Sequence, residues 1–185
     1  MRIGIDISQI VHGETGVGNY VRNLVKKLVE TDTDNTYILF GSSLRRAHIF
    51  TDFYGSLNCD PSRVILKTWF VPPTLLDIVW NSLHIIPVEW IIGNVDVFWS
   101  SDWTQPPLAR ARGVTTIHDV SFIHYPESFH KTIRSVQKRR LKRAKEECDV
   151  FLCDSEATKK DVVHFLHIDQ THARVVYPGF TQQTI

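Results

Sequence analysis

Two short stretches place reactive side chains where a strand gives way to a loop. His118-Asp119 follows Thr115-Thr116-Ile117, so an imidazole and a carboxylate fall at the C-terminal tip of a predicted strand, where ligand sites of open α/β sheets lie. An imidazole there can donate a hydrogen bond to a sugar hydroxyl or phosphate, or take a proton, because its pKa lies near neutrality. The alternative is a structural histidine. The loop that follows, Ser121-Phe122-Ile123-His124-Tyr125-Pro126-Glu127, mixes aromatic and polar groups suited to lining a pocket. The second stretch is Gly16-Val17-Gly18, between the first predicted strand and the first predicted helix. Backbone N–H groups at such a helix start can cradle a phosphate or diphosphate, or the glycines can serve only a tight turn. A dinucleotide fingerprint needs a third glycine where Val21 stands and an acidic residue after the second strand, which ends Phe40-Gly41. NAD binding is therefore disfavoured.

Other chemistries find less support. The chain has nine histidines, but His118, His124 and His130 are too widely spaced, and His164 and His167 too isolated, to resemble a zinc site, so no metal is expected. Asp32-Thr33-Asp34 has the form of a metal–nucleotide clamp, yet it precedes a strand and reads as a solvated turn. The sequence lacks a nucleophile elbow and a P-loop. All five tryptophans fall between Trp69 and Trp103. Most read as core, while Trp99 and Trp103, flanking Ser100-Ser101-Asp102, are candidates to stack on a sugar.

These residues need a scaffold, and the chain supplies one by alternating short apolar runs with helical patterns, the signature of a parallel sheet covered by helices. Strands are predicted at 2–7, 37–40, 63–67, 95–99, 114–117, 150–153 and 174–177. Helices are predicted at 20–30, 44–54, 76–86, 128–147 and 154–166, the last capped by Asp154 or Ser155. In the helix over 76–86, Leu76, Val79, Trp80, Leu83 and Ile86 form the apolar face and Asp77, Asn81 and His84 the opposite one, with Pro87 ending it. The fold class is α/β: a single Rossmann-like domain spanning 1–185, a mostly parallel sheet with helices on both faces.

The chain has 185 residues, of which 43% are hydrophobic, enough to bury a core without disulfides or a structural metal. Its 21 Lys+Arg against 20 Asp+Glu give a net charge of +1, which removes the footprint of a dedicated nucleic-acid binder. Three cysteines, Cys59, Cys148 and Cys153, form no framework or ribbon and fit a reducing, cytoplasmic setting. Neither a signal peptide nor a bilayer span is expected. One dense basic run, Lys138, Arg139, Arg140, Lys142, Arg143 and Lys145, reads as a solvated helix face partly paired by Lys142–Glu146 and Arg143–Glu147. The alternative is peripheral contact with an anionic membrane surface or a phosphorylated lipid carrier.

In order along the chain, these features resemble the N-terminal domain of glycosyltransferase family 4, retaining enzymes of GT-B fold that move a sugar from a nucleotide-sugar. The resemblance rests on residues 2–6 followed by Gly16-Val17-Gly18-Asn19-Tyr20-Val21-Arg22-Asn23-Leu24. It continues through Thr116-Ile117-His118-Asp119 with Tyr125-Pro126-Glu127, then Asp154-Ser155-Glu156-Ala157-Thr158-Lys159-Lys160-Asp161, and Val175-Val176-Tyr177-Pro178-Gly179. It implies that this is the N-terminal half of a GT-B fold. Gly16 and Gly18 would approach the donor diphosphate, His118 would lie near the transferred sugar, and Asp119 would brace His118 or its loop. Asn19, Trp103 and Tyr125 stand in the loops that would hold a glycan or lipid-linked acceptor.

The family continues into a second, nucleotide-sugar-binding domain with an E-x7-E element, which this sequence does not contain. Residues 178–185 would begin the linker to it, and the chain alone is expected to be inactive, since that domain stabilises the leaving diphosphate. Beyond the nucleotide-sugar as co-substrate, no cofactor is implied. A mannose- or glucose-type hexose and cell-surface polysaccharide synthesis fit the resemblance. The competing reading is a non-enzymatic binding module for a glycan, a lipid-linked sugar or a protein.

Overall fold

A computed structural model describes residues 1–13 and 15–179. Seven strands, β1 (Arg2–Asp6), β2 (Thr36–Ser42), β3 (Val64–Trp69), β4 (Val97–Ser100), β5 (Arg112–Ile117), β6 (Cys148–Cys153) and β7 (Ala173–Val175), pair in parallel in the order β3-β2-β1-β4-β5-β6-β7. Parallel neighbours require crossovers over the sheet faces. The helices that make them are α1 (Gly16–Thr31), α2 (Ala47–Ser56), α3 (Pro73–Leu76), α4 (Glu89–Ile92), α5 (Ser121–His124), α6 (Lys131–Glu147) and α7 (Glu156–Leu166). The result is one Rossmann-like α/β domain, all parallel where the sequence promised mostly parallel.

Side chains of a strand alternate between faces, and β2 shows how this builds two cores at once. Tyr37 and Leu39 join Ile5, Val21, Val25, Phe50 and Phe53 beneath α1 and α2. Ile38 and Phe40 point the other way, to Leu76, Trp80, Val88, Ile92 and Phe98 beneath α3 and α4. A third cluster, centred on Ile117, Leu141, Ala144, Phe151 and Val162, seats α6 and α7. The strand order reverses between β1 and β4, so their C-terminal ends diverge beneath the connections on either side. Such a switch point opens a crevice.

The largest departure from expectation lies at 76–86. The single predicted helix is α3 followed by a π-helical turn, Asp77–Ser82, and it is buried on both sides: Leu76 and Trp80 lie in the core as expected, and part of the polar side is buried too. Asp77 and Asn81 are buried while Ile78 and Leu83 are exposed. The reason is the neighbouring helix. Arg139 of α6 pairs with Asp77, Asn81 Nδ2 donates to Asp77 Oδ1 (2.9 Å), and Arg143 Nε donates to the Asn81 carbonyl (3.2 Å). Polar partners on α6 bury the polar side as well.

The basic run is corrected by the same packing. Arg140 is 1% exposed; its guanidinium donates to the carbonyls of Ser101 (2.9 Å) and Thr116 (3.2 Å) and to Thr115 Oγ1, so it joins the ends of β4 and β5 and is no part of a surface patch. Arg143 pairs with Glu146, not Glu147. Glu147 instead meets His84 (2.7 Å) and the Leu108 N–H (2.9 Å).

Candidate functional site

Every side chain at the C-terminal edge of the sheet owes its place to a strand end. His118 leaves the tip of β5, and Asp154 leaves the tip of the neighbouring β6; because the strands are parallel and in register from Ile117 on Cys153, the next residues meet. His118 Nδ1 lies 2.7 Å from Asp154 Oδ2. Thr158 of α7 donates to the His118 carbonyl (3.2 Å), and Ser155 caps that helix by accepting from the Thr158 N–H. The Tyr20 ring stands edge-on to the imidazole at 5.0 Å. With Nδ1 tied to a carboxylate, the ring orientation is fixed, and Nε2 is left to act on a ligand.

Two further carboxylates come from the ends of β1 and β4. Asp6 is buried; its Oδ1 accepts from the Ser8 N–H (2.8 Å), and its Oδ2 has no partner. Asp102 likewise buries Oδ1 without a partner. Burial pushes both carboxyls up, that of Asp6 against the hydrogen bonding of Ser8, that of Asp102 against the pull of Arg140 and His118. Burial also pulls the Arg140 guanidinium down, partly offset by Asp102. Unpartnered buried oxygens at strand ends are rare and costly unless something arrives to bond them.

Above these groups lies a cleft of about 1060 Å³. Ser8, His12 and Thr15 line it from the β1–α1 loop, Ser42–Arg46 from the β2–α2 loop, and Leu76, Ile78, Trp103 and Thr104 from the far side. A smaller pocket of about 130 Å³ contains His118 and Asp119. Val17 and Asp102 line both, so the two adjoin at Asp102. The far wall is fixed by Asn81, which donates to the Trp103 carbonyl (3.1 Å) and accepts from the Gln105 N–H (2.9 Å).

The residues singled out from sequence divide accordingly. His118 and Trp103 line the pockets. Asp119 also does, but its Oδ1 accepts from the Ser121 N–H (2.7 Å), so it braces the loop into α5 and leaves His118 to Asp154. Gly16 is exposed at the first position of α1, with open space around it. Gly18 is a packing residue: a Cβ there would lie 2.6 Å from the His12 carbonyl oxygen, and its N–H donates to Thr15 Oγ1 (3.1 Å). That amide is not available to a diphosphate. Asn19 is exposed and lines neither pocket, and Tyr125, 62% exposed, packs near His124 outside both. Trp99 is buried, donating Nε1–H to Thr116 Oγ1 (3.0 Å), and offers no face to a sugar. The linker assigned to 178–185 lies outside the described residues from position 180 onward, as does Glu14 of the β1–α1 loop.

Asp6, Tyr20, Asp102, Arg140 and Asp154 escaped the sequence reading as site residues. The available signal was positional: Asp6, Asp102 and Asp154 each stand at or just after the end of a predicted strand, as His118 does. Among the described residues no group of three metal-ligating side chains converges, and no helix is long and apolar enough to cross a membrane. A family model described as Glycosyltransferase Family 4 matches residues 15–183. No curated protein matches the chain.

Proposed function

The chain belongs to glycosyltransferase family 4, and we propose that it forms the acceptor-side wall of a retaining enzyme that moves a hexose from a nucleotide-sugar to a glycan or lipid-linked acceptor. One arrangement carries this reading: His118, held through Nδ1 by Asp154, stands at the tip of β5 beside the large cleft at the strand-order reversal. The cleft is ample for a sugar-sized ligand. Its serine and threonine hydroxyls suit a polyol, and Trp103 supplies an apolar wall on which a sugar ring can rest. The acceptor lies along this cleft and brings its reacting hydroxyl past Asp102 to His118.

Asp154 keeps the His118 proton on Nδ1, so Nε2 is the nitrogen that accepts a hydrogen bond from, or orients, the reacting groups. Asp102, which lines both pockets, supplies an oxygen for an acceptor hydroxyl. The amides of Gly16 and Val17, which open α1, face the donor diphosphate, and a second Rossmann-like domain closes over them to stabilise the developing charge.

The test uses the enzyme together with its nucleotide-sugar-binding domain. His118→Ala, with unchanged circular dichroism, lowers turnover by at least about two orders of magnitude. A wild-type rate in that variant assigns His118 to the scaffold and removes the reading.

A further inference from the structure

Between residues 75 and 90 five large apolar side chains stand in solvent: Leu75, Ile78, Leu83 (59% exposed), Ile85 and Trp90 (76% exposed). Single exposed apolar residues are ordinary, but a run of them on one segment marks an interaction surface. Leu83 and Ile85 belong to a loop held in an unfavourable backbone: His84 and Ile86 have φ of 55° and 64°, a region that a β-branched residue avoids. The loop is held by His84, whose Nδ1 lies 2.8 Å from the Trp80 carbonyl and whose Nε2 lies 2.7 Å from Glu147.

Helix α6 runs beside this segment, joined to it through Arg139 and Asp77, Arg143 and the carbonyls of Asn81 and Ser82, and Glu147 and His84. By helical spacing, the side of α6 opposite Val136, Arg140 and Ala144 carries Lys131, Lys138, Lys142 and Lys145. All four are exposed, and none makes an ion pair among the described residues.

The acids of the same elements turn inward. Asp77 is held by Arg139 and Asn81, and Glu147 by His84 and the Leu108 N–H. Glu89 accepts from the N–H groups of Ala109, Arg110 and Ala111. Glu146 alone stays outside, on Arg143. What faces solvent is an apolar band edged by lysines.

We propose that this surface docks on an anionic lipid bilayer. Apolar side chains with an indole enter the headgroup boundary, while lysine stems lie along it and their ammonium groups meet lipid phosphates. A soluble acidic partner would account for the lysines but not for the strained loop that keeps Leu83 and Ile85 in water. The contact does not pass through the basic run as a whole, since Arg139, Arg140 and Arg143 are engaged within the domain. It is also independent of the reaction proposed above.

The test is co-sedimentation of the full chain with vesicles of phosphatidylcholine and of phosphatidylcholine mixed with phosphatidylglycerol. Binding to the mixed vesicles alone, weakening with salt, is expected. Replacing Lys138, Lys142 and Lys145 by Gln lowers that affinity about a hundredfold, at roughly fivefold per lysine. Leu83→Ser with Ile85→Ser lowers it by at least about tenfold, with thermal unfolding as cooperative as in the wild type. Failure to bind mixed vesicles, equal binding to neutral ones, or indifference to either set of substitutions overturns the proposal. So does a concentration-dependent dimer that the serine variant dissolves, which would make the face a self-interface. Turnover without vesicle binding removes this inference and leaves the transferase reading intact; vesicle binding without His118-dependent turnover does the reverse.

Discussion

Asp6 shows what a carboxylate costs when it is buried at a strand end with one oxygen unpartnered. It is buried, half satisfied, and its carboxyl is pushed up chiefly by that burial. A carboxyl with a raised folded-state pKa binds more protons folded than unfolded just above the ordinary carboxylate range, so its contribution to stability falls as pH rises through that window. Asp6→Asn should therefore stabilise the domain by about 1 kcal/mol at neutral pH. The advantage fades as pH falls through the raised pKa and vanishes below the unfolded value of about 3.9; urea denaturation at several pH values measures it. Asp154 acts through another residue, as a positioning group for His118. Asp154→Asn keeps the shape and weakens the hydrogen bond that fixes the imidazole ring. Turnover should drop about 10- to 100-fold with unchanged circular dichroism. Combined with His118→Ala it should add almost nothing, because the two act as a unit. Unchanged turnover would show that the 2.7 Å contact is only structural.

At the scale of elements, the two glycines that open α1 have separate jobs. Gly18→Ala forces a Cβ against the His12 carbonyl and should destabilise by about 1–3 kcal/mol. Gly16→Ala meets open space and should leave stability unchanged or raise it by a few tenths of a kcal/mol, while weakening donor affinity if its backbone lies against a diphosphate. Denaturant midpoints for both, with donor KM for the second, separate packing from binding. Strand positions were legible because β-branched and aromatic runs bounded by turns have few other uses, and the placing of His118 followed from them. The burial of Asp77 and Asn81 was not legible, since periodicity says that two faces differ but not that a neighbouring helix will satisfy the polar one. Arg139 and Arg143 decided that, from more than sixty residues downstream. Asp154 was missed for a related reason: a helix-cap reading explained it locally, and its bond to His118 exists only through the pairing of β5 with β6.

For the molecule as a whole, the two proposed surfaces occupy different parts of the domain. The cleft opens at the carboxyl edge of the sheet, and the apolar band lies on the α3–α4 face, with Ile78 common to both. If the band rests on lipid, the mouth of the cleft lies near the headgroups, and a lipid-linked acceptor should show a lower KM on anionic vesicles than in detergent, while a soluble analogue should not. The strand order that makes the cleft has one more consequence, for the way the chain folds. At the centre of the sheet Arg2 bonds Asp96, 94 residues away, whereas β1 finds β2, and β4 finds β5, across a single crossover. Closing the longer loop loses more chain entropy, and such distant pairings tend to form late. The β1–β4 seam should close last, uniting two half-sheets whose open edges are the species most prone to aggregate. Pulse-labelled hydrogen exchange should find the β1–β4 ladder the last to gain protection, so that the refolding chain acquires nearly all its secondary structure before it acquires a cleft.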